Sequence, residues 1–221
     1  MIPFVGLLAA LLAAGSLPLT VGRRERGVPA RQLVMQIVLT VGALLVAGIW
    51  ADSVFPFLVP ATFFITAVPL AVHDLWTGRM PNRLVAVSGV STSGAVLVDA
   101  LWRQQWESAL TSLLGAAGFL VFYVLLYILA PGQLGGGDVK LAVVAGAVLG
   151  WSGWPSPFYG LFLIFLVSLG VHFIGLIWDR RRKSGGTHPH GPAIVVATFL
   201  TAMVPLGSHT VELLSRYNIF G

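Results

Sequence analysis

Apolar residues run along this chain in blocks of about twenty, separated by short polar clusters. The blocks are continuous, unlike the alternating pattern of a membrane β-barrel strand. Eight segments have the length and apolar character of a bilayer-crossing helix. They are Ile2 to Val21, Leu33 to Ala51, Val54 to His73, Leu84 to Trp102, Ser108 to Ala130, a short one from Val139 to Trp151, Phe158 to Trp178, and Pro192 to Leu214. The first has no basic residues before it, and Arg23, Arg24 and Arg26 follow it. A cleaved secretory signal has the reverse order, so this segment is read as a retained helix. Because only helices and closed barrels satisfy the backbone in lipid, the pattern predicts an all-α polytopic membrane bundle of about eight transmembrane helices.

Composition agrees. The 221 residues are 57% hydrophobic and 10% charged, with a mean hydropathy of +0.89. A soluble domain carries about 25% charged residues, so a soluble enzyme, a disordered tail and a coiled coil are excluded. There is no cysteine. Disulfides, thiolate catalysis, Cys-ligated zinc and iron–sulfur clusters are therefore excluded too. The net charge of +5 points to topology and not to nucleic acid, because the basic residues sit in short loops between apolar blocks.

Those loops set the orientation. With the N-terminus outside, all but two of the thirteen basic residues fall on the inner side, the exceptions being Arg103 and Arg216. This asymmetry is the positive-inside signature; it puts both termini outside and Arg79, Arg83, Lys140 and Arg180 to Arg182 inside. Residues 1–52 then form two helices with a short basic cytoplasmic loop, and residues 53–221 a six-helix core. The longest polar stretch, Asp179 to Gly191, is too short to fold alone, and Ser184 to Thr187 reads as a flexible connector.

Only eight acidic residues are present, and charge inside a bilayer is costly enough that each must be accounted for. Glu25 and Asp179 sit beside arginine clusters, Asp52 and Glu107 lie in short outer loops, and Glu212 is near Arg216. Asp99, near the outer end of the fourth span, reads as interfacial or structural. Asp74 closes the third span and Asp138 opens the sixth. Taken singly, the first is a helix-end carboxylate and the second an N-cap. The run Gly135-Gly136-Gly137 before Asp138 adds more, because glycine lets another segment approach closely. Loop charges place both carboxylates on the cytoplasmic face. Two carboxylates in a partly desolvated site can share one proton; one then serves as base toward water while the other polarises a carbonyl. His73 reads as a neighbour of this site. No metal site is expected at His188 and His190, which have no carboxylate close in sequence.

These residues carry a family pattern. The chain resembles the prepilin peptidases, or type IV leader peptidases, of the wider GxGD class of membrane aspartyl proteases. In that family a first Asp is followed by a short basic segment ending in Ile-Pro-Asn or similar; here Asp74 is followed by Arg79-Met80-Pro81-Asn82. The family's Gly-x-Gly-Asp-x-Lys-Leu is matched by Gly135-Gly136-Gly137-Asp138-Val139-Lys140-Leu141. A third mark, aromatic-Gly-Pro before the last helix, appears as His190-Gly191-Pro192, with the aromatic replaced. The resemblance covers roughly Val54 to Leu206.

The resemblance implies a peptidase core in residues 53–221, with Asp74 and Asp138 as the catalytic dyad. It makes Gly135, Gly137, Pro81, Asn82, Gly191 and Pro192 motif residues around them. On a helix Lys140 points about 200° away from Asp138; it is expected to snorkel toward the cytoplasmic interface. The implied substrate is a prepilin or pseudopilin whose short basic leader ends in Gly ahead of a hydrophobic helix. Cleavage is implied at the cytoplasmic face of a bacterial inner membrane. Many members carry a cytoplasmic domain with paired Cys-x-x-Cys ligands and also N-methylate the product. Here the corresponding loop, Gly22 to Gln32, is short and cysteine is absent, so peptidase activity alone is expected, with no metal or organic cofactor. Two other readings stay open on sequence: a small proton- or cation-coupled transporter, and a catalytically silent scaffold of a pilus or secretion machine. The first is disfavoured because both acids lie at helix ends, whereas a coupling site belongs near the midplane.

Overall fold

Helices account for nearly all of the residues described by the computed structural model, which are 30–50, 54–78, 80–178 and 190–203. The first predicted span, Arg23 to Arg26, Arg79, the polar stretch 179–189 with His188, and the last span beyond Met203 lie outside the described residues. Seven helices are found among those described: α1 (Ala30–Trp50), α2 (Val54–Thr77), α3 (Asn82–Arg103), α4 (Trp106–Leu129), α5 (Gly136–Trp151), α6 (Ser156–Trp178) and α7 (Gly191–Met203). Helices α1 to α6 coincide with spans read from hydropathy, shifted by a few residues at their ends, and α7 covers the first part of the last predicted span. Helices α1 to α4 and α6 are long and apolar enough to cross a membrane. Helix α5 is shorter, at 16 residues, or about 24 Å.

The bundle has a buried centre of α2 and α5. Helix α2 packs against α1, α3 and α7, and α5 against α3, α4, α6 and α7. Both are apolar on every side, which suits a helix surrounded by protein. Phe63, Phe64, Leu70, Leu141, Ala145 and Leu149 are fully buried. Large side chains on α4 such as Leu113, Val121, Ile128 and Leu129 face outward, as lipid-facing positions do. The result is an all-α multi-pass membrane bundle.

Backbone approach decides how α4 meets α5. A methyl group at Gly115 would strike the Gly146 carbonyl oxygen, and one at Gly150 would strike the Thr111 carbonyl oxygen. Gly146 and Gly150 are four apart on one face of α5, a small-xxx-small arrangement that lets two helices touch through their backbones. Ser112 Oγ donates to the Ala147 carbonyl at 2.9 Å in the same seam. Thr66 Oγ1 donates to Ser88 Oγ at 2.7 Å between α2 and α3.

At the opposite end from Asp74, Asp99 ties α3 to α5. Its carboxylate is fully buried. It accepts from Arg103 Nε at 2.7 Å, pairs with the Arg103 guanidinium through Nη2, and accepts from Trp151 Nε1 at 2.7 Å. Asp99 is thus a structural staple.

Candidate active site

Asp74 lies in the last turn of α2, and the helix ends one turn later because Gly78 takes a left-handed backbone, φ +61°. The Gly78 N–H donates to the Asp74 carbonyl at 2.8 Å, an αL cap that glycine adopts without steric cost. Chain reversal follows at once. Pro81 caps α3 with extended backbone, and its carbonyl accepts from the N–H groups of Leu84 and Val85 at 3.0 and 3.3 Å. Asn82 is the first residue of α3.

Asp138 is in the first turn of α5, behind the cap residue Gly135. Its Oδ2 accepts from the Gly135 N–H at 3.1 Å, the half of a capping box that an acidic residue in the first turn supplies. Glycine has no side chain to return the other half. This bond orients the carboxylate and leaves its second oxygen uncommitted: Asp138 Oδ1 is buried with no hydrogen-bond partner, as is Asp74 Oδ2.

Asp74 and Asp138 come from different helices and meet at one end of the bundle, where they act on each other electrostatically. Both are nearly inaccessible, 5% and 7% exposed. The first turn of α7 closes the site. The Gly191 backbone N–H faces both carboxylates, and a methyl on Gly191 would lie 3.2 Å from Asp74 Oδ2. Pro192 follows within the same turn, where its missing N–H costs nothing.

Met80 is the keystone between these segments. A methyl on Gly137 would sit 2.6 Å from Met80 Cβ, and one on Gly191 would strike Met80 Cε. One on Gly135 would sit 2.9 Å from Asp138 Oδ2. The exposed Gly136 would meet nothing within 4 Å. Lys140 is turned away from the carboxylates; its Nζ donates to Asn82 Oδ1 at 2.9 Å at the exposed rim, joining the start of α5 to the start of α3.

Three polar contacts were not visible in the sequence. Gln32 on α1 and His73 on α2 are both buried and share a hydrogen bond between Nε2 and Nδ1 at 3.4 Å, so α1 buttresses the residue beside Asp74. His190 hydrogen-bonds with Tyr123 and with Ser168. The hydropathy pattern leaves Gln32 at the end of the Gly22 to Gln32 loop, so no sequence signal marks it; its burial and its partner emerge only from the fold. Among the described residues no cluster of His, Asp and Glu has the geometry to hold a metal ion.

The fold and the site define a multi-pass helical membrane protein with two buried carboxylates converging at one helix end. The chain belongs to the type IV leader peptidase family, whose model matches residues 61–178. It is 33% identical over 145 residues to the prepilin leader peptidase/N-methyltransferase of Bacillus subtilis (strain 168). That alignment covers 65% of this chain and 54% of the relative, so the chain spans about half the length of the curated protein it matches. No solved structure matches the chain.

Proposed function

We propose that the protein is a membrane aspartyl endopeptidase. It removes the short basic leader from type IV prepilin or pseudopilin precursors at the cytoplasmic face of a bacterial inner membrane. The reading is supported above all by the convergence of Asp74 and Asp138, each with one buried oxygen lacking a partner, beside the Gly191 N–H. Two acids held close are the apparatus of acid–base peptide hydrolysis.

In this reading one carboxylate is ionised and takes a proton from water, whose oxygen attacks the scissile carbonyl carbon. The other carboxylic acid gives its proton to the carbonyl oxygen, forming a neutral tetrahedral diol. Collapse of the diol breaks the C–N bond as the departing nitrogen receives a proton from the first acid, and the second recovers one from the diol hydroxyl. Water is consumed and the carboxyl pair returns to its starting state. The leader's basic residues stay in the cytoplasm with the protein's own basic loops, while the hydrophobic helix of the precursor remains in lipid.

The B. subtilis relative is named for two activities. The paired cysteines that mark the metal domain of methylating members have no counterpart in this cysteine-free chain, so we assign cleavage alone. Co-expression with prepilin-type precursors, followed by mass spectrometry of the product, tests both points. Wild type is expected to yield a product shorter by the leader and without an added methyl group. Asp74→Asn and Asp138→Asn are each expected to lower cleavage on the order of 10³-fold or more, because neither acid substitutes for the other. Normal cleavage by either variant would rule out the dyad.

A further inference from the structure

His190 stands outside the chemistry proposed above, yet its ring reaches two other helices. Nε2 lies 3.2 Å from the Tyr123 hydroxyl on α4, and Nδ1 lies 2.9 Å from Ser168 Oγ on α6. A neutral imidazole offers one donor and one acceptor, and a hydroxyl can play either part, so both bonds form in either tautomer. The ring is also packed among aromatic neighbours, with centroids 5.9 Å from Tyr123 and 6.4 Å from Phe165. Tyr123 is fully buried and braced by Phe119 and Phe122, so the α4 side of the bridge is rigid.

The next residue is Gly191, whose N–H faces the two carboxylates. It belongs to the first turn of α7, where a helix leaves its N–H groups without intrahelical partners. Its position relative to Asp74 and Asp138 therefore depends on where the start of α7 is held. The His190 carbonyl accepts from the N–H groups of Ala193 and Ile194 at 3.1 and 3.2 Å, so the residue whose side chain is tethered is also the one from which the helix begins.

We propose that His190 is a positioning residue: the bridge from Tyr123 through His190 to Ser168 holds the start of α7, and with it the Gly191 N–H, against the two carboxylates. Its catalytic consequence rests on the peptidase reading; the tether itself does not.

The test uses the full chain in detergent with two readouts, hydrogen–deuterium exchange along α7 and cleavage kinetics on a prepilin-type precursor. His190→Phe keeps a ring and removes both hydrogen bonds. Ser168→Ala removes one bond from a half-buried position and is the milder change. Exchange in the first turn of α7 is expected to rise about tenfold in His190→Phe and less in Ser168→Ala, with α5 unchanged. The kcat is expected to fall by about the same factor at unchanged KM, and adding Tyr123→Phe to His190→Phe should cost nothing more, since the bond is already gone. Unchanged exchange at the start of α7, a rise spread evenly over all helices, or additive losses of kcat would each overturn the proposal. If wild type cleaves no precursor, the peptidase reading fails, and the exchange pattern still decides the tether.

Discussion

The glycines around Asp138 differ in what a methyl group would meet, and that difference orders the cost of replacing them. At Gly137 the obstacle is Met80 Cβ at 2.6 Å, an atom fixed to its backbone. At Gly191 it is Met80 Cε, the end of a side chain that can swing to another rotamer. Gly137→Ala is therefore expected to lower both stability and cleavage more than Gly191→Ala, by about 1–3 kcal/mol of overpacking. At Gly135 the obstacle is the Asp138 carboxylate itself, so Gly135→Ala should reduce cleavage with little change in thermal unfolding. Gly136→Ala is the control: open space surrounds it, and the loss of glycine's unfolded-state freedom makes it neutral or slightly stabilising. Equal losses at Gly136 and Gly137 would show that the loop responds to flexibility and not to contact. The spacing of the motif carries this ordering, since its unconstrained position is the glycine that touches nothing.

At the scale of elements, the site depends on helices that are held by different means at their two ends. Near the carboxylates, α5 is fixed by the Gly135–Asp138 bond and by Lys140 on Asn82. Far from them, it is fixed by backbone contact with α4 and by Asp99. Gly150→Ala pushes a methyl into the Thr111 carbonyl, a backbone atom that cannot rotate away, and is expected to destabilise the protein by about 1–3 kcal/mol. Gly118→Ala on α4, the other helix of this pair, meets nothing within 4 Å and serves as comparison; a thermal melt in detergent that ranks the two alike would dismiss the backbone-contact account. Asp99→Asn leaves Arg103 without its counter-charge, but the Arg103 side chain is 28% exposed. We therefore expect a loss of about 2 kcal/mol, below that of a fully buried pair, with cleavage by the folded protein retained. Glycine-rich sequence does not distinguish Gly150 from Gly118, because glycine is frequent throughout membrane helices; only the azimuth of each on its helix separates them.

Across the whole molecule, hydropathy and charge report depth and side, and they leave lateral neighbours undetermined. The spans that fall among the described residues were legible because lipid demands about twenty apolar residues per crossing. The shared face of Asp74 and Asp138 was legible because successive crossings alternate direction and the basic loops choose between the two orientations. Which helix stands beside which was not: Gln32 with His73, and Tyr123 with His190 and Ser168, join segments far apart in sequence whose pairing no local pattern encodes. Orientation is the part of this reading that a direct experiment on the assembled protein can decide. The chain has no cysteine, so a single introduced thiol gives an unambiguous signal. Arg83 is exposed near the start of α3, on the side of the two carboxylates, and Gln105 is exposed between α3 and α4 at the other end. A membrane-impermeant maleimide added to intact spheroplasts is expected to label Gln105→Cys and to spare Arg83→Cys, with the pattern reversed in inverted vesicles. The reverse result would put the carboxylates on the outer face. A basic leader held in the cytoplasm would then be unable to reach them, and the proposed substrate would fail with the topology, whatever the chemistry of the two acids.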